Sequence, residues 1–193
     1  MAHKMVDYAL WYAEQGFAVF PLKYKSKIPI TQTGFKEATT DFKKIKEWWK
    51  NHPHANIGIA TGKVSGGIFV IDLDIDDNKG INGYDTLRDW QKDNGVLPET
   101  IMSITGRGGY HLFFRTNRTI KSRTGILEGI DIRGDGGYVV APPSIHNNGS
   151  RYEWEQDPND YEIAEADETV YNLLNTNSSS TAELFRMDGN VIE

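Results

Sequence analysis

The segment Gly66 to Asp76 reads GGIFVIDLDID, and its aspartates Asp72 and Asp74 are spaced for shared chemistry. Side chains on a strand alternate between faces. These two carboxylates therefore project together, while Ile71, Leu73 and Ile75 project oppositely into an apolar interior. Two like charges on one face repel, and a hard divalent cation such as Mg²⁺ or Mn²⁺ relieves that penalty by taking carboxylate oxygens together with substrate phosphates. The competing reading is a strand end passing into an acidic turn, because Asp76 and Asp77 follow at once.

Two later stretches carry comparable chemistry. Thr100 to Thr105, the turn GRGG and Tyr110 to Arg115 predict a β-hairpin in which His111, Phe113 and Arg115 share one face. His111 leaves a glycine turn beside Arg107, where backbone amides and a guanidinium suit an anion. Further on, GIDIRGDGGYVVAPPSIHNNG puts Asp131 and Arg133 on one strand face and Ile130 and Ile132 on the other. A strand over Tyr138 to Ala141 follows, and Pro142-Pro143 ends it, leaving Ser144 and His146 on the next loop. Lys63, in the turn TGKVSGG, is within reach of a phosphate, but that turn lacks the glycine and hydroxyl spacing of a P-loop. Three carboxylates on adjacent strands can hold two divalent ions ~4 Å apart, and phosphoryl chemistry asks little more of a protein than positioning and charge stabilisation.

The elements that must position these groups follow from periodicity and capping. Met5, Ala9, Trp11 and Tyr12 keep a helical period that Gly16 stops, predicting a helix over 4–15, followed by a strand over 17–22. The loop KYKSKIPITQTG is long for a connector, and long ordered loops are often functional. Asp41 is an N-cap for the helix DFKKIKEWWKN, whose Phe42, Ile45, Trp48 and Trp49 form its buried face. A strand NIGIA, a helix ending at Gly95, a basic linker with Arg118, Lys121 and Arg123, an edge strand near 151–154 and a short helix over 163–174 complete the pattern.

At 193 residues the chain suits one domain over 1–170, with a helix end, a Ser/Asn-rich linker and a tail over 171–193. It has no cysteine, so disulfides and thiolate zinc sites are excluded, and an intracellular setting is expected. The N-terminal residues predict neither a signal peptide nor a membrane span. The net charge of −6 is laid out unevenly: up to Lys63 there are ten lysines against five acids, whereas Glu153 to Glu168 holds eight acids and no base. Local fields steer a polyanion more than the total does, so the basic portion is a candidate phosphate-facing surface.

Asp72-x-Asp74, a glycine-led His111, and Asp131 followed by GGYVVAPPS resemble the three motifs of the archaeo-eukaryotic primase superfamily, and specifically the primase-polymerase domains of plasmids, phages and other mobile elements. GFAVFPL, the Lys27-x-Pro29 loop, Ala38-Thr39-Thr40, Trp48-Trp49 and NIGIATG are similar too, so the resemblance spans roughly residues 5–155. It implies an α+β fold in which an RRM-like antiparallel sheet holds the catalytic acids beside an N-terminal α/β unit. It also implies Asp72, Asp74 and Asp131 as metal ligands for two Mg²⁺ or Mn²⁺ ions and His111 as a triphosphate contact. Arg107, Arg133, Ser144, His146 and Lys63 are further nucleotide candidates by position, and Arg118, Lys121 and Arg123 are candidates for DNA. The implied activity is template-directed DNA primase/polymerase chemistry with NTPs or dNTPs on single-stranded DNA, in the cytoplasm, alongside a helicase domain or protein. Two departures stand out: Gly109 occupies a position that usually carries a hydroxyl, and the cysteine-liganded zinc stem of some members is impossible here. A metal-dependent phosphohydrolase or nuclease, and a non-catalytic replication-origin binding module, are the alternatives.

Overall fold

The computed structural model describes residues 4–176. The linker and tail expected from 177 onward lie outside them. Helix α1 (Met5–Glu14) is followed by β1 (Val19–Leu22), and helix α2 (Phe42–Asn51) by β2 (Asn56–Ala60). As expected, Asp41 caps α2 by accepting from the backbone amides of Lys43 and Lys44, a contact worth about 1 kcal/mol. Strands β1 and β2 are antiparallel, but their sheet is completed by β10 (Tyr138–Ala141), which arrives from far along the chain to flank β2. The N-terminal unit is thus not contiguous in sequence.

The larger sheet holds β3 (Ile68–Leu73), β6 (Met102–Ile104), β7 (Tyr110–Arg115), β8 (Arg123–Leu127), β9 (Ile130–Arg133) and β11 (Glu153–Gln156) in the order β11-β6-β7-β3-β9-β8, all antiparallel. Every residue of β3 is buried, because both faces of this central strand are covered. Ile68 and Val70 join Tyr12, Phe17, Trp49, Ile57 and Phe113 in a core against α1 and α2. Phe69, Ile71 and Leu73 join Leu87 of α3 (Gly83–Asn94) and Leu173 of α4 (Glu168–Leu174) in a core on the opposite face. The architecture of the described residues is mixed α+β with antiparallel sheets and four α-helices. No helix among the described residues is long and apolar enough to cross a membrane.

Several elements differ from the sequence expectation. The span 163–174 divides into β12 (Ala164–Glu165), parallel to the end of β7, and α4, because the Asp167 side chain caps the helix on the Val170 amide. The end of helix α4 at Leu174 is where the sequence put it, and its Leu173 and Leu174 are buried. The edge strand near 151–154 falls at β11, two residues later. A small hairpin of β4 (Ile75–Asp76) and β5 (Ile81–Asn82) occupies the acidic turn after Asp74. The basic linker contains edge strand β8, whose first three residues are exposed and so carry no apolar alternation to reveal it.

Candidate active site

Strand register brings the acids together. Asp72 lies opposite His111 on one side and opposite Asp131 on the other, forming one row across β7, β3 and β9. This row continues the apolar line of Ile68 and Val70, so the acids sit where the cover of that face ends. Asp74 follows at the end of β3. One carboxylate oxygen from each of Asp72, Asp74 and Asp131 lies within 4.8 Å of the others, an all-oxygen set suited to a hard divalent cation.

Arg133 holds two of the three. Its Nε and Nη2 donate to Asp72 Oδ2 at 3.2 Å each, and Nη2 also donates to Asp131 Oδ2 at 2.8 Å. The other Asp131 oxygen accepts from the Gly125 amide at 2.8 Å, presented by an irregularity between β8 and β9. The mutual repulsion expected from sequence is therefore already offset for Asp72 and Asp131 by a guanidinium that lies two residues from Asp131 on the same strand face. Asp74 is the most exposed of the three, and its carboxylate has no hydrogen-bond partner among the described residues. Partial desolvation, then the charges of Asp72 and Asp131, push its pKa above the usual carboxylate value, against the pull of Lys27 and Arg133.

A mutation follows from that imbalance. In the metal-free domain the folded state binds the Asp74 proton more tightly than the unfolded chain does, so its contribution to stability falls as pH rises through the window just above the ordinary carboxylate pKa. Asp74→Asn should raise the thermal midpoint in EDTA at pH 7 and shrink the gain to nothing at pH 3. Equal midpoints at pH 7 for the wild type and the variant would contradict the charge accounting.

His111 is 6% exposed, with Nε2 3.5 Å from Asp72 Oδ1 and Nδ1 without a partner among the described residues. Burial lowers its pKa, more than Asp72 raises it, so the ring is neutral at pH 7 and offers one N–H. The buried Ser103 hydroxyl, directly across from His111 on β6, is likewise unpartnered. Gly109 admits no side chain: a Cβ there would stand 2.3 Å from the Leu73 carbonyl oxygen and 3.3 Å from the Thr105 hydroxyl. The hydroxyl absent at that position thus has a neighbour in Thr105.

Asp72, His111 and Arg133 open into a cavity of about 310 Å³. Its remaining wall comes from Lys27, Ser122, Tyr152 and the segment Gly136 to Val140. At Gly137 a Cβ would meet the Ser122 hydroxyl at 2.5 Å, so the bare backbone is what lets β10 pass there. Tyr152 is buried beside Asp72, and burial first, then that charge, raises its pKa to about 12, which keeps the phenol a hydrogen-bond donor.

The other candidates are dispersed. His146 lines an adjoining hollow with Lys27 and Tyr152. Arg107, exposed on its glycine turn, pairs with Asp76 at 3.5 Å. Ser144 is fully buried and accepts from the Ile57 amide, a structural contact. Lys63 is exposed and its backbone amide binds Asp135. Arg118 stacks on Tyr171 with its guanidinium carbon 4.1 Å from the ring centre, and Arg123 donates to the Leu174 carbonyl, so both engage α4; Lys121 is exposed. Sequence reasoning missed Lys27, Ser122, Tyr138 and Tyr152 as cavity residues, although the length of the Lys27 loop was a signal for one of them.

A family model described as bifunctional DNA primase/polymerase, N-terminal, matches residues 9–169. No match was found among curated proteins. The matched span holds the acid triad, His111 and the residues that line the cavity, and the chain belongs to the bifunctional DNA primase/polymerase N-terminal domain family.

Proposed function

We infer that the domain transfers nucleotides, joining the α-phosphate of an NTP or dNTP to a 3′ hydroxyl paired on single-stranded DNA. The observation that carries this reading is the row His111, Asp72, Asp131, of which His111 and Asp72 line a cavity together with Lys27 and Arg133, with Asp74 closing the triad. In the reaction the hydroxyl oxygen bonds to the α-phosphorus, the hydroxyl proton departs, and the bond to the β-phosphate oxygen breaks to release pyrophosphate. Asp72, Asp74 and Asp131 have the donor chemistry and spacing for divalent ions, which when bound would polarise the hydroxyl and neutralise the triphosphate. Arg133, Lys27 and the neutral His111 supply donors to phosphate oxygens, and Tyr152 adds a phenol. Burial of Asp72 and His111 keeps these groups preorganised, which is where most catalysis of phosphoryl transfer originates.

Transfer is favoured over hydrolysis because, among the described residues, His111 is the only histidine beside the acids, whereas a hydrolytic metal site commonly adds imidazole ligands. The test is incubation with a labelled nucleoside triphosphate, single-stranded DNA and Mn²⁺. Labelled oligonucleotide is expected, with one pyrophosphate released per phosphodiester bond formed. Conversion of the label to nucleoside mono- or diphosphate alone would identify a phosphohydrolase instead.

A further inference from the structure

We propose that single-stranded DNA runs from the candidate active site along a basic channel between the loop over 23–29 and the loop over 143–151, with Tyr24 as its stacking platform. This rests on the proposed function for the identity of the polyanion, while the channel rests on geometry.

Three hollows adjoin one another. The active-site cavity shares Lys27 and Tyr152 with a hollow of about 160 Å³ that Lys25, Ser26, His146 and Asn147 also line. That hollow shares Ile145 with a third, of about 250 Å³, which includes Tyr24, His54 and Arg151. Among the described residues no acid lines the second or the third, and Asp72 is the one acid on the first. In a chain of net charge −6, a run of hollows walled by Lys25, Lys27, Arg133 and Arg151 is a local positive track.

The two walls are fixed rather than loosely apposed. Asn56, 1% exposed on β2, donates to the Ser26 carbonyl at 3.1 Å and to the Ile145 carbonyl at 2.7 Å, and accepts from the Ile145 amide at 3.0 Å. One buried amide therefore staples both loops at a set separation. At the outer end Tyr24 is 54% exposed, with the His54 ring 6.4 Å away edge-on and the Lys25 ammonium 5.7 Å from its ring centre, a charge that a base stacking there would meet beside the ring. Next to it Lys25 takes a left-handed backbone conformation, φ 53°, unusual for a residue with a side chain. Lysines beside an exposed aromatic ring suit a strand whose phosphates track the charges and whose bases stack. Double-stranded DNA presents no unstacked base to the ring. The arginines of the 118–123 segment, by contrast, are engaged by α4.

The test is fluorescence anisotropy of a labelled oligodeoxythymidine in EDTA, over a range of salt, on the chain of 193 residues. Lys25→Ala with Arg151→Ala should weaken binding several-fold and reduce the log–log salt slope by about 1.4, at roughly 0.7 per phosphate contact for single strands. Tyr24→Ala should weaken binding about 10-fold with the slope unchanged. Both variants alter exposed side chains, so their melting curves should match the wild type, and their dNTP affinity should stay the same. Wild-type affinity and slope in both variants would overturn the channel while leaving the proposed function intact, and Lys121→Ala would then be the variant that loses affinity. Conversely, a wild type that binds the oligonucleotide through these residues yet adds no nucleotide would overturn the proposed function and leave the channel standing.

Discussion

Asp72→Asn and Asp131→Asn should each reduce nucleotide incorporation by about 1,000-fold or more while leaving the domain folded. Each carboxylate supplies an oxygen to the triad, and an amide in its place lacks the negative charge a divalent cation needs. Losing metal-assisted charge stabilisation costs several kcal/mol of barrier, and each 1.36 kcal/mol is tenfold in rate, which sets about 1,000-fold as the floor. Folding should survive, since asparagine keeps the shape and one acceptor oxygen, and Arg133 retains the other aspartate in either variant. Mn²⁺ binding followed by electron paramagnetic resonance should weaken in parallel. A variant that binds Mn²⁺ like the wild type and incorporates nucleotides at a comparable rate would remove Asp72 or Asp131 from the centre.

Arg133→Met should have the second largest effect, and in two directions. In the metal-free domain this guanidinium is the counter-charge of a buried and a half-buried aspartate, so removing it strands both. Breaking a fully buried pair costs 3–5 kcal/mol. With the Arg133 side chain 32% exposed, about 2 kcal/mol is the appropriate scale, or roughly 4–8 °C in the thermal midpoint of a domain this size. A divalent cation replaces the missing charge, so saturating Mn²⁺ should raise the midpoint of the variant by more than it raises that of the wild type. Because Arg133 also lines the cavity, affinity for nucleoside triphosphate should fall, with metal saturating, by about 10-fold or more. Identical midpoints in EDTA would show that the two aspartates do not depend on this guanidinium.

How much of this could be read from the chain depends on whether a signal was local. The pairing of Asp72 with Ile71 and Leu73 on opposite faces, the hairpin that presents His111, and the alternation of Asp131 and Arg133 with isoleucines are all two-residue periodicities. The sheet preserves each of them. The Asp41 cap and the helix it starts were legible for the same reason. Other features depend on long-range pairing. Tyr138 to Ala141 alternates like any short strand, and nothing in it says that its partner is β2 and not β9. Tyr152 reaches His111 only through the loop after Pro143, so its place on the cavity has no sequence signature. Arg118 and Arg123 read as a free basic cluster because their partners, Tyr171 and the Leu174 carbonyl, are some fifty residues away. The two-faced burial of β3 also hid part of the design: alternation alone assigns the aspartate face to solvent, whereas Ile68 and Val70 on that face are core.

Extension of a primer by one nucleotide opposite each of the four template bases, with and without Mg²⁺ or Mn²⁺, tests whether the acid triad supports templated nucleotide transfer. Addition of the complementary nucleotide alone, dependent on the divalent ion and absent in Asp131→Asn, is the expected result. Addition that ignores the template base, that persists in EDTA, or that survives Asp131→Asn would contradict it.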